Sequence, residues 1–302
     1  MPRALLVVDR FAPEGTALRA HLDARFAEPR LARPERFVWD YWHVPGQYTA
    51  LRTPAWTFFP KAAYQAFHRR LVHFGRRVLG CHDVSPPWLS CYVEGCGQEL
   101  HADLPHGPWA FVYSLTRWRG RAFRGGETLL LREEVLDLWT DFRSEARLER
   151  RELYRSVEPI FGRLAVFDPR IPHAVATVRG TLAPEEGRTV IHGWFVAPRP
   201  FVEGPLAPRE LAARLAELSE GMSRRIGTVP LAGLLSLGLT VTPGGAVSGL
   251  RVLSDTTRTP SGAERERRRL VAAIRAAVAR WRFPRHPGGS RVTVPLLFER
   301  GG

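Results

Sequence analysis

The sequence predicts an α+β protein: helices, then a curled set of short strands, then a small ββαβ unit. Three observations predict it. Two amphipathic stripes come first. From residue 88 onward, short β-branched and aromatic runs follow one another between Gly, Pro and charged turns. Beyond a Pro-rich stretch, a second pattern of two strands, one helix and one strand stands by itself.

Residues 12–30 and 60–80 read as the helices. In the second, Tyr64, Phe67, Leu71, Phe74 and Val78 recur at helical spacing, while Arg69, Arg70, Arg76 and Arg77 lie elsewhere on the surface. Between them, "FVWDYWHVPGQYTALRTPAWTFF" (37–59) is dense in aromatics and interrupted by Pro and Gly. It reads either as a core-packing loop or as a wall over a site, with Trp42 its candidate substrate contact. The strand-like runs are "WLSCYVEG", "WAFVYSLT", "GETLLLR", "RLAVFD", "HAVATV" and "RTVIHGWFV", and their number suggests a sandwich or barrel. The charged stretch 133–156 is expected to be partly helical. This gives a first domain over 1–200.

Pro198, Pro200, Pro205 and Pro208 mark a boundary, so 201–227 is expected to be a linker and a helix. In 228–302, "LSLGLTV", the turn "TPGGA" and "VSGLRVLS" form a hairpin. Ser261 and Glu264 make a capping-box pattern that opens a helix with a stripe of Leu270, Ile274, Ala277, Val278 and Trp281. Pro284 stops that helix and "SRVTVPLLFE" is the last strand. Seven arginines fall between 261 and 282. They form either a solvated basic face or a docking face for an acidic partner.

Composition bounds the function classes. With 44% hydrophobic and 10% aromatic residues, the 302-residue chain can bury a core. The net charge is +14, and Lys61 is its single lysine. Such a total bias to arginine points to a GC-rich genome before it points to nucleic acid. Three cysteines at irregular spacing are neither a disulfide framework nor a structural zinc site. No apolar run approaches the length of a membrane span, and the N-terminus lacks a signal h-region. A bacterial, cytoplasmic protein with no membrane partner is the expectation.

The chemistry is in "GQELHADLPHG" (97–107). His101 and Asp103, two apart on an extended segment, point to one face. "FDPRIPHAV" supplies His173 after a Pro-rich turn that can aim it. Two imidazoles and one carboxylate on one side of a metal leave the remaining positions open, which is the facial donor set of non-haem Fe(II) oxygenases. Asp168 reads as a cap for the turn rather than a ligand. A dicarboxylate chelating the metal needs an anchor for its far end, and a guanidinium supplies it. Arg188 opens the strand "RTVIHGWF", where alternation puts Val190, His192 and Trp194 on its face. His106 is either a substrate contact or a solvated loop histidine.

With these residues in place the chain resembles the 2-oxoglutarate/Fe(II) oxygenase superfamily, in its prolyl-4-hydroxylase-like branch. The match runs over about 88–197 through "HADLPHG", "AFVYSLT", "FRGGETLLL", "GRLAVFDPRIPHAV" and "GRTVIHGWF". The resemblance implies a double-stranded β-helix (a cupin-like jelly roll) with iron on His101, Asp103 and His173. It implies 2-oxoglutarate on Arg188, O2 as oxidant and ascorbate as a supporting reductant. Ser114 falls where many relatives carry a tyrosine for the same carboxylate. Its neighbour Tyr113 points the other way by alternation and would take that carboxylate only with a register change, and it is instead a candidate substrate contact. Thr116 and Thr128 are the assisting hydroxyls, and Trp194 matches an inward aromatic that closes the pocket.

Residues 228–300 resemble the C-terminal domain of TonB-like energy transducers, through "LSLGLTVTPGGAVSGLRVLSDTT", "AVARWRFPRHPGG" and "SRVTVPLLFER". Such transducers carry an N-terminal anchor that this sequence lacks, so a docking module is the expectation. The expected activity is hydroxylation of an amino acid, peptide or protein, with proline among the candidate residues and succinate and CO2 as co-products. The alternatives are oxidative demethylation of nucleic acid and a scaffold with a vestigial iron site.

Overall fold

A computed structural model describes residues 4–28, 39–103, 106–132, 135, 153–226, 231–259 and 263–299. The chain separates into two compact units. The larger comprises Leu5–Leu71 and Val84–Val196, and the smaller comprises Val72–Asp83 and Ala197–Gly302.

Helices and strands follow in chain order as β1 (Leu5–Val8), α1 (Glu14–Phe26), β2 (Asp40–Val44), β3 (Tyr48–Pro54), α2 (Ala55–Phe58), α3 (Lys61–Phe74), β4 (Cys81–Val84), β5 (Trp88–Tyr92), β6 (Gly97–His101), β7 (Trp109–Ser114) and β8 (Thr128–Leu131). Then come β9 (Tyr154–Val157), β10 (Leu164–Phe167), β11 (His173–Val175), β12 (Arg188–Pro198), β13 (Phe201–Glu203), α4 (Pro208–Ile226), β14 (Gly233–Val241), β15 (Val247–Asp255), α5 (Glu264–Ala279) and β16 (Ser290–Phe298).

The larger unit is built on a curled antiparallel sheet in the order β1-β10-β7-β12-β5-β3-β6-β11-β8-β9, with β2 hydrogen-bonded to β3. This half-barrel is consistent with the expected jelly roll. β12 sits inside it, pairing with β5 on one side and β7 on the other. Its first four residues, Arg188–Ile191, are all buried, as a two-sided central strand requires. Gly125 and Gly126 adopt φ +75° and +85°, a left-handed backbone that favours glycine. A Cβ on Gly125 would come within 2.0 Å of the Thr177 carbonyl oxygen. The Gly-Gly pair therefore lets the chain enter β8 tight against the segment after β11.

Three segments of the larger unit form strands that the sequence reading did not assign. Within the aromatic stretch read as a loop or a wall, Asp40–Val44 and Tyr48–Pro54 form a hairpin whose second strand pairs with β5 and β6. The end of the 133–156 insertion is the strand Tyr154–Val157, paired with β8; most of the insertion lies outside the described residues. The N-terminal run Leu5–Val8 is a strand, with Leu5 opposite Phe167 and Val8 opposite Leu164.

In the smaller unit the sheet order is β13-β16-β14-β15. Its core gathers Leu235, Leu237 and Leu239 of β14, Leu270, Ile274 and Val278 of α5, and Trp281. Leu206, Leu211 and Leu218 belong to the same cluster, with Leu215 and Met222 packed against it. Leu211, Leu215, Leu218 and Met222 are spaced as one stripe of α4. The segment 201–227 is thus part of this core and sheet rather than a linker to them. Residues 72–83 belong here as well. The Ser236 hydroxyl donates to the Leu79 carbonyl at 2.6 Å and the Thr293 hydroxyl to the Arg77 carbonyl at 2.9 Å. Gly80, at φ +73°, lies so close to Pro295 that a Cβ would come 2.6 Å from it. Ser261 of the expected capping box lies outside the described residues.

Candidate metal centre

His101 ends β6 and His173 begins β11, and the two are directly opposed in the antiparallel ladder. Their rings lie 4.3 Å apart between centroids. Asp103 follows on the same side, its backbone N–H donating to the Pro169 carbonyl at 2.9 Å. The turn that aims His173 is held by Asp168, which is fully buried. Its carboxylate accepts the Arg170 backbone N–H, Nε and Nη2 at 3.0, 2.9 and 2.7 Å. Asp168 therefore acts on the turn, as its place before Pro169 suggests.

The donor atoms of His101, Asp103 and His173 all lie within 4.8 Å of one another. Nδ1 of His101 donates to the Glu99 carbonyl at 2.8 Å, and Nδ1 of His173 donates to the Ile171 carbonyl at 2.9 Å. A proton held on Nδ1 leaves each Nε2 with its lone pair. Those two nitrogens face the Asp103 carboxylate oxygens at 3.5 and 3.4 Å. Desolvation holds His101 below the ordinary imidazole range, so the ring is neutral. Burial pushes the Asp103 carboxyl up, but the neighbouring imidazoles outweigh it and keep the group below its usual range. Two imidazole nitrogens and a carboxylate thus converge on one point. The set fits Fe(II).

The three residues line a cavity of about 650 Å³, on whose wall Arg188 also lies. Arg188 is 1% exposed. Its Nη2 donates to the Thr128 hydroxyl at 3.2 Å, while Nε and Nη1 are buried without a partner. Desolvation works against its charge, and Tyr92 counters this only in part. A buried guanidinium with two unsatisfied donors calls for an anion.

Residues 87–196 match the 2OG-Fe(II) oxygenase superfamily. Oxygenases of this superfamily use Fe(II), 2-oxoglutarate and O2, and the chain presents the His-Asp-His set for the metal. Among solved structures, a prolyl-4-hydroxylase from Pseudomonas putida is similar over 64% of this chain and 92% of its own, at 18% identity and a TM-score of 0.44. A Trichoplax adhaerens prolyl hydroxylase, in complex with a hypoxia-inducible-factor oxygen degradation domain peptide fragment, covers 64% and 84%, at 15% identity and 0.42. A viral collagen prolyl hydroxylase from Paramecium bursaria Chlorella virus-1 covers 63% and 94%, at 16% identity and 0.39. No curated protein matches the chain.

The larger unit brings most of the expected site residues to one cavity. Val190, His192 and Trp194 line it with Arg188, as strand alternation requires. Nε2 of His192 lies 2.7 Å from the Ser90 hydroxyl, and desolvation pushes the His192 imidazole down to about 4. Trp194 and His106 also line the cavity and stack, with ring centroids 4.4 Å apart. Thr128 and Trp42 line it too.

Three expected residues do not. Tyr113 takes the opposite face of β7 and donates to the Ala12 carbonyl at 3.1 Å, its ring against Phe67. Ser114, at the end of β7, spends its hydroxyl on the Pro159 carbonyl at 2.6 Å. The Thr116 hydroxyl donates to the Thr189 carbonyl at 3.0 Å. All three are buried with their hydroxyls paired, so none is free to hold a co-substrate.

Sequence reasoning missed Tyr92, Ser90, Trp88 and Arg52, all on the cavity wall. The signal for the first three was present: Trp88, Ser90 and Tyr92 alternate along β5. Arg52 carried no such signal, because its place depends on β3 joining the sheet beside β5.

Proposed function

We propose that the chain is an Fe(II)- and 2-oxoglutarate-dependent dioxygenase that hydroxylates an amino-acid or peptidyl substrate, with prolyl groups among the candidates. The observation that carries this reading is the placement of three convergent metal donors and one buried, half-satisfied guanidinium on a single cavity wall. Nε2 of His101, Nε2 of His173 and the Asp103 carboxylate would hold the iron. When bound there, iron supplies the activation of O2 and the oxidative decarboxylation of 2-oxoglutarate to succinate and CO2.

The chain's own residues do the rest. Arg188 grips the distal carboxylate, with the Thr128 hydroxyl fixing the guanidinium plane and Tyr92 beside it. His192 stays uncharged and offers Nδ1 to the co-substrate while Nε2 engages Ser90. Trp194 and His106 form a stacked wall that shields the centre from water. Trp42 and His106 are the substrate contacts in this reading. In the smaller unit, the exposed arginines of α5, among them Arg265, Arg268 and Arg275, keep the docking role for an acidic partner.

The test is anaerobic titration with Mn(II) and 2-oxoglutarate, paired with aerobic succinate formation. The wild type is expected to bind both and to form succinate slowly without a second substrate. His101→Ala, Asp103→Ala and His173→Ala are each expected to lose metal binding and turnover while keeping the wild-type circular dichroism. Full turnover in all three variants would remove the assigned donor set.

A further inference from the structure

Arg52 is a second guanidinium on the cavity wall, and nothing in the oxygenase reading uses it. It sits on β3 directly opposite Ser90 of β5. Its guanidinium carbon lies 3.3 Å from the ring centroid of Trp42 and 4.4 Å from that of Trp88. The two indoles meet edge to face, with centroids 6.4 Å apart. An arginine held by two tryptophans has a fixed position and direction. Arg52 also lacks a counter-ion: among the described residues no carboxylate lies within ion-pair distance of it, and its Nε is buried without a hydrogen-bond partner. Asp40, its neighbour across the β2–β3 ladder, is exposed and acts only at long range. Glu99 lines the same cavity but is exposed and makes no contact with Arg52.

The charge of the loaded cavity sharpens this. The two charges of Fe(II) and the one on Arg188 are offset by Asp103 and the two carboxylates of 2-oxoglutarate. Arg52 remains without an ion-paired carboxylate in a partly desolvated wall, since the lining Glu99 is exposed to water. Leaving such a donor unpaired costs free energy that a bound anion recovers. A single charge matches a carboxylate, whereas a phosphate monoester carries nearly two. The cavity volume is that of a small-molecule site.

Resting on the oxygenase reading, we infer that the prime substrate carries a free carboxylate and that Arg52, clamped between Trp42 and Trp88, is the specificity-determining residue that binds it. The substrate class is then a small carboxylic acid, such as a free amino acid, and not a residue inside a protein chain.

The experiment compares the free L-amino acids with their carboxamides, one by one. Succinate formation above the rate without a second substrate is the first readout. Quenching of tryptophan emission in the anaerobic Mn(II)/2-oxoglutarate complex is the second. At least one free acid is expected to stimulate turnover and to quench, and its amide to do neither at the same concentration. Arg52→Met is expected to raise the KM for that acid by about tenfold or more and to leave the Kd for 2-oxoglutarate unchanged. Arg52→Lys keeps the charge without the planar stack on the indoles, and is expected to restore part of the affinity. Amides that work as well as acids, stimulation by internal peptides alone, or no stimulation by any acid would each overturn the inference. So would an Arg52→Met variant whose 2-oxoglutarate affinity falls while Arg52→Lys restores it, since Arg52 would then belong to the co-substrate. Failure of the oxygenase reading looks different: the wild type then binds neither Mn(II) nor 2-oxoglutarate and forms no succinate.

Discussion

Arg188 and Tyr92 stand directly opposite each other on neighbouring strands, with the guanidinium carbon 4.6 Å from the ring centroid. The ring covers a cation that, among the described residues, forms no ion pair with a carboxylate, and burial pushes the Tyr92 hydroxyl up so that it stays protonated. Arg188→Ala is expected to weaken 2-oxoglutarate binding by roughly 30-fold or more, the equivalent of about 2 kcal/mol for a charge-assisted contact. Arg188→Lys should recover part of this, and Tyr92→Phe should cost less because the ring remains. Calorimetric titration of the anaerobic Mn(II) protein measures all three. An unchanged affinity in Arg188→Ala would place the co-substrate elsewhere.

His192 makes stability depend on pH. Its imidazole is pushed down to about 4 from an ordinary 6.5, chiefly by desolvation, with Arg188 adding to the effect. The unfolded chain therefore binds a proton that the folded chain refuses. The contribution is fully present above pH 6.5 and is lost as pH falls toward 4. Its size is at most about 3 kcal/mol, since a tenfold change in proton affinity is worth about 1.4 kcal/mol. Denaturant midpoints between pH 7 and 4 should fall more steeply in the wild type than in His192→Asn. Parallel curves would show that cavity water keeps the ring solvated.

The cluster of His101, Asp103 and His173 was legible because its signals are local. A spacing of two puts His101 and Asp103 on one face, and a Pro-rich turn announces His173. The wall facing them was only half legible. Alternation from Arg188 correctly gave Val190, His192 and Trp194, since one strand carries all four. Arg52 reaches the cavity through the pairing of β3 with β5, two distant segments, which no periodicity records. Ser114 failed for a different reason. It lies past the end of the cavity, where the Pro159 carbonyl takes its hydroxyl, and no residue count shows that. The reading of 201–227 as a linker and a helix anticipated the helix but not its packing into the core of the smaller unit. The stripe of Leu211, Leu215 and Leu218 on α4 was the signal for that packing.

The cysteines should be silent. Cys81, Cys91 and Cys96 are buried and form no disulfide. Desolvation pushes the thiols of Cys81 and Cys91 up to about 12 and raises that of Cys96. The thiolate is the reactive form, so all three should resist alkylation near pH 8. Iodoacetamide followed by intact mass measurement should leave the native protein unmodified and add three groups after denaturation. Rapid labelling of the native protein would show that at least one of these thiols opens to solvent in the folded state.

Truncation tests whether the smaller unit can be removed. A chain ending at Ser219 keeps most of α4 but loses β14, β15, α5 and β16. Leu206, Leu211 and Leu218, each under about a tenth exposed in the full chain, would then face water. Leu79, now fully buried, belongs to the same unit, and its carbonyl would lose the Ser236 hydroxyl. Exposing a buried leucine costs roughly 1.5–3 kcal/mol, so four of them approach the whole stability of a typical domain. The truncated chain is expected to aggregate or to be degraded during expression. A milder probe is Ile274→Ala in α5, at a site 1% exposed, which should destabilise the full chain by about 2–5 kcal/mol in a urea titration. A soluble, monomeric chain ending at Ser219 that still binds Mn(II) and 2-oxoglutarate would show that residues 201–219 and 72–83 are stable without their partners. The smaller unit could then be treated as separable.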